Sequence, residues 1–128
     1  MSWFHLIFGL LMFVVFVTTG KFMRVDFPDK DVIPQELRVL MRSRHIYILF
    51  SALIHLILGA YLRMSPDSRM KLLQYVGSGL LFVSSVLLVW AFVSETYMLQ
   101  HFSDLSRNGI YISLAGVAMH LFAKFDRR

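Results

Sequence analysis

Residues 72–93 read LLQYVGSGLLFVSSVLLVWAFV, a run without a single charged side chain. About 20 residues of this kind, folded as a helix, cross the hydrocarbon layer of a bilayer, which is about 30 Å thick. A strand of a membrane barrel would instead alternate polar and apolar residues. Because this run is apolar on all sides, it predicts a transmembrane helix.

Three more apolar runs share the rest of the chain. We expect spans at about 3–20, 46–62, 72–93 and 109–123, with residues about 34–45 forming an interfacial start to the second helix. A chain of 128 residues makes one domain at most. Residues 1–128 therefore predict a single all-α domain, a polytopic membrane protein built as a bundle of four transmembrane helices. The first helix is expected to end near Gly20.

The composition supports a lipid environment. Hydrophobic residues make up 57% of the chain, against about 45–50% in a soluble domain. A soluble chain this short could not bury so much apolar surface. The sequence contains no cysteine, which excludes disulfides and thiolate chemistry, and it contains no Gly-rich phosphate loop and no zinc-protease motif. We therefore expect a protein that is not an enzyme.

The formal net charge of +5 comes from basic residues that lie between the apolar runs. Such residues predict contact with anionic lipid headgroups rather than with nucleic acid. We define side A as the membrane side that holds Met1 and the turn near residue 66, and side B as the opposite side. Basic residues are nearly balanced between the two sides. Lys21 and Arg24, at the end of the first helix, favour a cytoplasmic side B.

Small and polar residues recur along one face of each of the last three helices. Helices in lipid pack through such residues, because apolar burial no longer drives them together. The predicted seams are Ser51, His55 and Gly59; Gly77 with Ser84, and Ser78 with Ser85; and Gly109, Ser113, Gly116, His120 and Ala123.

His55 and His120 lie on these seams, on parallel helices and at similar predicted depth. An ionisable residue inside a membrane is a candidate functional group. The two rings could ligate a haem b, bind a metal ion or relay protons. They could equally bond to serines, carbonyls or each other as interhelical contacts. His5 is expected near the side A surface.

The pair His55 and His120 resembles the haem-binding core of membrane b-type cytochromes, where histidines on parallel second and fourth helices hold the haem. The resemblance implies haem b as a cofactor and an electron-transfer or quinone-linked role. Those proteins usually repeat the pairing for a second haem. Here His45 has no obvious partner, and His101 lies in a loop.

A second constellation lies on side B. It consists of Arg38, Arg42, Arg44 and His45 at the entry to the second helix, and of Glu95, Tyr97 and His101 at the exit of the third. One interpretation is that the arginines attract lipid phosphates while Glu95 pairs with Arg42 or Arg44. The other is a site for an anionic ligand, such as a quinone headgroup or a specific lipid.

Two stretches carry a further resemblance, TGKFMR at residues 19–24 and RSRHIYIL at residues 42–49. They resemble a group of small four-helix proteins of the bacterial inner membrane, with the second half of the chain similar by hydropathy alone. The resemblance implies a multi-pass protein of the bacterial cytoplasmic membrane and supplies no activity or ligand. We expect an accessory or structural subunit of a membrane complex, or a self-associating bundle. A haem-binding subunit is the alternative, and a small dimeric transporter the third.

Overall fold

The computed structural model describes residues 1–25, 32–95 and 104–125. Within them the chain forms four helices and no strand: α1 (Ser2–Val25), α2 (Gln35–Tyr61), α3 (Ser68–Ser94) and α4 (Asp104–Phe125). The prediction of an all-α fold with four helices is confirmed. Three of the helices, α1 to α3, are long and apolar enough to cross a membrane.

A side-chain cap explains where α3 begins. The Asp67 carboxylate accepts the backbone N–H of Met70 at 2.9 Å and caps the start of α3. The prediction that α1 ends near Gly20 is wrong, because the helix continues to Val25. Gly20 serves packing instead, since a Cβ atom there would lie 3.2 Å from Cε1 of the His45 ring.

Glycines bring neighbouring helices into backbone contact. A Cβ atom on Gly59 would lie 2.7 Å from the backbone of Leu6, which shows how closely α2 approaches α1. In the same way, a Cβ atom on Gly116 would lie 2.8 Å from the carbonyl oxygen of Gly77, so α4 is equally close to α3. The chain thus folds as two tight antiparallel hairpins, α1–α2 and α3–α4, which meet mainly along α2 and α3.

The predicted seams form the interior of this bundle. Their buried members are Ser51, His55, Gly77, Ser78, Ser84, Ser85, Gly109, Ser113, Gly116, His120 and Ala123. A small apolar cluster of Met12, Ile48, Ala52 and Phe92 lies beside them. The outer surface carries large apolar side chains along every helix, including Trp3, Ile57, Trp90 and Phe122.

Candidate functional site

Three histidines from three helices meet inside the bundle. His5 of α1 and His55 of α2 have no exposed surface, and His120 of α4 is 8% exposed. The Nδ1 atoms of His5 and His55 lie 2.8 Å apart, within hydrogen-bond distance. The position of His5 near the side A surface of the membrane stays a prediction, and its ring faces the interior of the bundle.

His5 and a serine connect the two histidines that the sequence singled out. The Nε2 atom of His5 lies 2.9 Å from the hydroxyl of Ser78 on α3. The same hydroxyl lies 3.2 Å from Nε2 of His120. His55 and His120 are thus joined through His5 and Ser78.

The chain of hydrogen bonds continues from His55 towards the middle of the bundle. His55 Nε2 lies 3.0 Å from the hydroxyl of Ser85, and that hydroxyl lies 2.5 Å from the hydroxyl of Ser51. Ser85 also donates to the carbonyl oxygen of Leu81 at 2.7 Å. We call the six connected side chains the histidine–serine network; they are Ser51, Ser85, His55, His5, Ser78 and His120.

Aromatic side chains enclose this network. The ring of Phe82 stacks on His5 with centroids 5.2 Å apart and lies 4.9 Å from the ring of His55. The rings of Phe8 and His55 form a T-shaped pair with centroids 4.7 Å apart. Because these neighbours are apolar, the hydrogen bonds lie in a low dielectric, where each bond is stronger and an unmade bond is more costly.

Helical spacing places the network side chains of each helix on one face. Ser51 and His55 are four residues apart on α2, and Ser78 and Ser85 are seven apart on α3, so each pair shares a face. His5 was missed because no seam of small residues marks α1. The available signal was Gly9, four residues after His5 and buried on the same face.

A haem held between His55 and His120 does not fit these positions. Both ring nitrogens of His55 are hydrogen-bonded, one to His5 and one to Ser85. The His5 ring and the Ser78 hydroxyl occupy the route from His55 to His120. Within the described residues, no group of three or more histidine, aspartate or glutamate side chains is placed to hold a metal ion. The haem site stays a prediction that this arrangement disfavours.

On side B, the expected ion pair joins α2 to the end of α3. The Nε atom of Arg44 lies 3.7 Å from Oε2 of Glu95, and both side chains are buried. The Arg44 guanidinium also donates to the backbone carbonyl of Glu95. Ser106 of α4 donates to the same carboxylate at 3.4 Å. Of the two arginines that the sequence offered to Glu95, Arg44 is the partner.

The other side B residues do not converge on one site. His45 Nδ1 lies 3.0 Å from the hydroxyl of Thr19, and its ring stacks on Phe16 at 4.2 Å. Arg42 is exposed. Arg38 is half-buried, and its Nε atom has no hydrogen-bond partner within the described residues. Tyr97 and His101 lie outside the described residues.

The fold and the site together define a class of protein, a small helical bundle with three helices long and apolar enough to cross a membrane and a buried histidine–serine network. Comparison of the chain with protein-family models, with curated proteins and with solved structures found no match in any of the three.

Proposed function

We propose that this chain is a multi-pass protein of the bacterial cytoplasmic membrane, with all four helices crossing the bilayer. Its role is non-enzymatic, as an accessory or structural subunit of a membrane complex. The observation that carries the proposal is an inside-out distribution of side chains, with polar groups buried and large apolar groups exposed.

The outer surface supports the membrane environment. Trp3 is 72% exposed, Ile57 58% and Phe122 69%. Soluble proteins rarely expose continuous apolar surface of this kind, because water penalises it. Ser85 and His55, by contrast, lie in the interior with almost no exposed surface. Hydrogen-bonded polar side chains are what helices surrounded by lipid use to hold together.

The packing of α4 supports a fourth crossing. At 1.5 Å per residue, its 22 residues extend about 33 Å, enough for the hydrocarbon layer. Gly116 lies against Gly77 in the middle of α3, so the two helices run side by side. The outward face of α4 carries Tyr111, Leu114 and Phe122, all exposed. A crossing by α3 therefore brings α4 across with it.

The arrangement of polar groups supports a non-enzymatic role. The buried histidines bond to one another and to serines, and Arg44 is held by Glu95. Because these side chains already bond to one another, their hydrogen bonds stabilise the bundle and are not free to bind a substrate. Partner helices have an apolar surface on every helix to pack against. On side B, the exposed Arg42 and the half-buried Arg38 suit anionic lipid headgroups.

The mass of the assembly tests the accessory role. One chain has a mass of 14.9 kDa. We expect native mass spectrometry of the protein, released from its own membrane in a mild detergent, to show this chain in a larger complex, either with another membrane protein or with copies of itself. Cross-linking within intact membranes before extraction is the control against dissociation. A single chain in both measurements would contradict the proposal.

The electron-transfer alternative is tested by colour. We expect the purified protein from haem-replete cells to lack a Soret band and to show no sharp α and β bands after dithionite reduction. A haem spectrum that disappears in both His55→Ala and His120→Ala would replace the accessory role with an electron-transfer role.

A further inference from the structure

Counting hydrogen-bond donors assigns every proton in the histidine–serine network. A carbonyl oxygen can only accept a hydrogen bond, so the hydroxyl of Ser85 donates its one proton to the carbonyl oxygen of Leu81. Its oxygen must then accept from both neighbours, Ser51 and Nε2 of His55. A neutral imidazole carries one N–H. His55 therefore holds its proton on Nε2 and has a lone pair on Nδ1.

The proton positions on His5, Ser78 and His120 follow from that of His55. Because His55 Nδ1 accepts, His5 must donate from its own Nδ1, which leaves Nε2 of His5 as an acceptor. Ser78 donates to that Nε2, and its oxygen accepts from Nε2–H of His120. The lone pair of His120 is then on Nδ1. This atom is buried and has no hydrogen-bond partner within the described residues.

We propose that the network is a proton relay, which takes up one proton at Nδ1 of His120 and places the positive charge on His55. As the proton binds Nδ1, the Nε2 proton of His120 moves to Ser78. The hydroxyl proton of Ser78 moves to Nε2 of His5, and the Nδ1 proton of His5 moves to Nδ1 of His55. One proton has entered, each intermediate group has gained one proton and lost one, and His55 is an imidazolium.

The reversed network keeps all of its internal hydrogen bonds. Ser78 then donates to His120, His5 donates to Ser78, and His55 donates from both nitrogens, to His5 and to Ser85. The donor–acceptor distances along this path run from 2.8 to 3.2 Å, all within hydrogen-bond range. No side chain has to move for the charge to travel from α4 to α2.

The surroundings favour His55 as the place where the charge stays. The rings of Phe8 and Phe82 lie 4.7 and 4.9 Å from its ring, within the range of cation–π attraction. The ionisable groups that face the network are the imidazoles of α1, α2 and α4, together with the amino group of Met1 near His5. Among the described residues of α3, Ser78, Ser85 and Phe82 contact the histidine rings, and none of these three side chains is ionisable. Repulsion between neighbouring charged rings limits the network to one added proton, and so to one positive charge.

Nitrogen-15 NMR of histidine-labelled protein in lipid bilayers tests the relay, because it distinguishes the two neutral tautomers and the imidazolium at each ring. At neutral pH we expect His55 and His120 to carry the proton on Nε2 and His5 to carry it on Nδ1. On acidification, the first imidazolium should be His55, while His5 and His120 change tautomer at the same pH. An imidazolium at His120 with no change at His5 would overturn the relay, as would independent titration of the rings.

Serine variants show whether the proton passes through Ser78. In Ser78→Ala the path is cut, so the first imidazolium should be His120, and His5 should keep its tautomer. Ser78→Thr retains a hydroxyl and should restore the coupled change. Ser84→Ala is the matched control, because Ser84 is a buried serine of the same helix that bonds to Gly109 outside the network. If Ser78→Ala behaves like Ser84→Ala, the relay is wrong.

Discussion

The Nδ1 atoms of His5 and His55 lie 2.8 Å apart and join the first turn of α1 to the last third of α2. Glycine contacts such as Gly59 against Leu6 hold each hairpin together internally. The histidine bond belongs to the α1–α2 hairpin, but its continuation through Ser78 reaches α3 and α4. The histidine–serine network therefore fastens one hairpin to the other.

Replacing the two bonded histidines tests this fastening. Phenylalanine keeps an aromatic ring at the position but cannot form the hydrogen bond, so His5→Phe and His55→Phe should each cost about 1 kcal/mol of unfolding free energy. The double variant should cost less than the sum, because both changes remove the same bond. Unfolding of the detergent-solubilised protein by SDS measures all three. Strict additivity would mean that the two rings do not interact.

The second prediction concerns Gly116, where α4 contacts α3 closely. A methyl group there would meet the Gly77 carbonyl at 2.8 Å, a distance that forces the two backbones apart. Gly116→Ala should therefore lower the stability of the bundle, by about 1–3 kcal/mol. Gly79→Ala is the control, because nothing lies within 4 Å of the added carbon. It should be neutral or stabilise α3 by up to about 1 kcal/mol through helix propensity.

The unfolding midpoints of these two alanine variants test the contact between α3 and α4. An equal effect of Gly116→Ala and Gly79→Ala would contradict the tight contact between α3 and α4.

The seams could be predicted because helical spacing decides which residues share a face. Gly77 and Ser84 on α3, and Gly116 and His120 on α4, recur at intervals that place them together, and all four are buried. Spacing does not decide how far one helix slides along another. For that reason the sequence did not place His5 beside His55, since this contact depends on the depth at which α1 meets α2.

The ion pair on side B gives a third prediction. Arg44→Gln leaves the buried Glu95 carboxylate without its cation, which should cost about 3 kcal/mol. Arg42→Gln should change the stability little, because Arg42 is exposed. Thermal unfolding in detergent measures both variants. The double variant Arg44→Gln with Glu95→Gln should recover part of the loss, since it leaves no buried charge unpaired.

If Arg42→Gln is as destabilising as Arg44→Gln, then the pairing of Glu95 is assigned to the wrong arginine. The sequence had narrowed the choice to these two, because the end of α3 and the entry to α2 must lie on the same side. It could not choose between them, since the rotation of α2 decides which arginine points inward.

Side-specific thiol labelling shows whether all four helices cross the membrane. The chain contains no cysteine, so each introduced cysteine is the single reactive thiol. Val32, Ser68 and Lys124 are exposed positions just before α2, at the start of α3 and near the end of α4. Each is changed to cysteine in turn and labelled in sealed vesicles with a reagent that does not cross the bilayer.

We predict that Ser68→Cys and Lys124→Cys are labelled from one side of the membrane and Val32→Cys from the other, with Val32 on the cytoplasmic side. Labelling of Lys124→Cys from the same side as Val32→Cys would mean that α4 does not cross, and would contradict the four-span bundle.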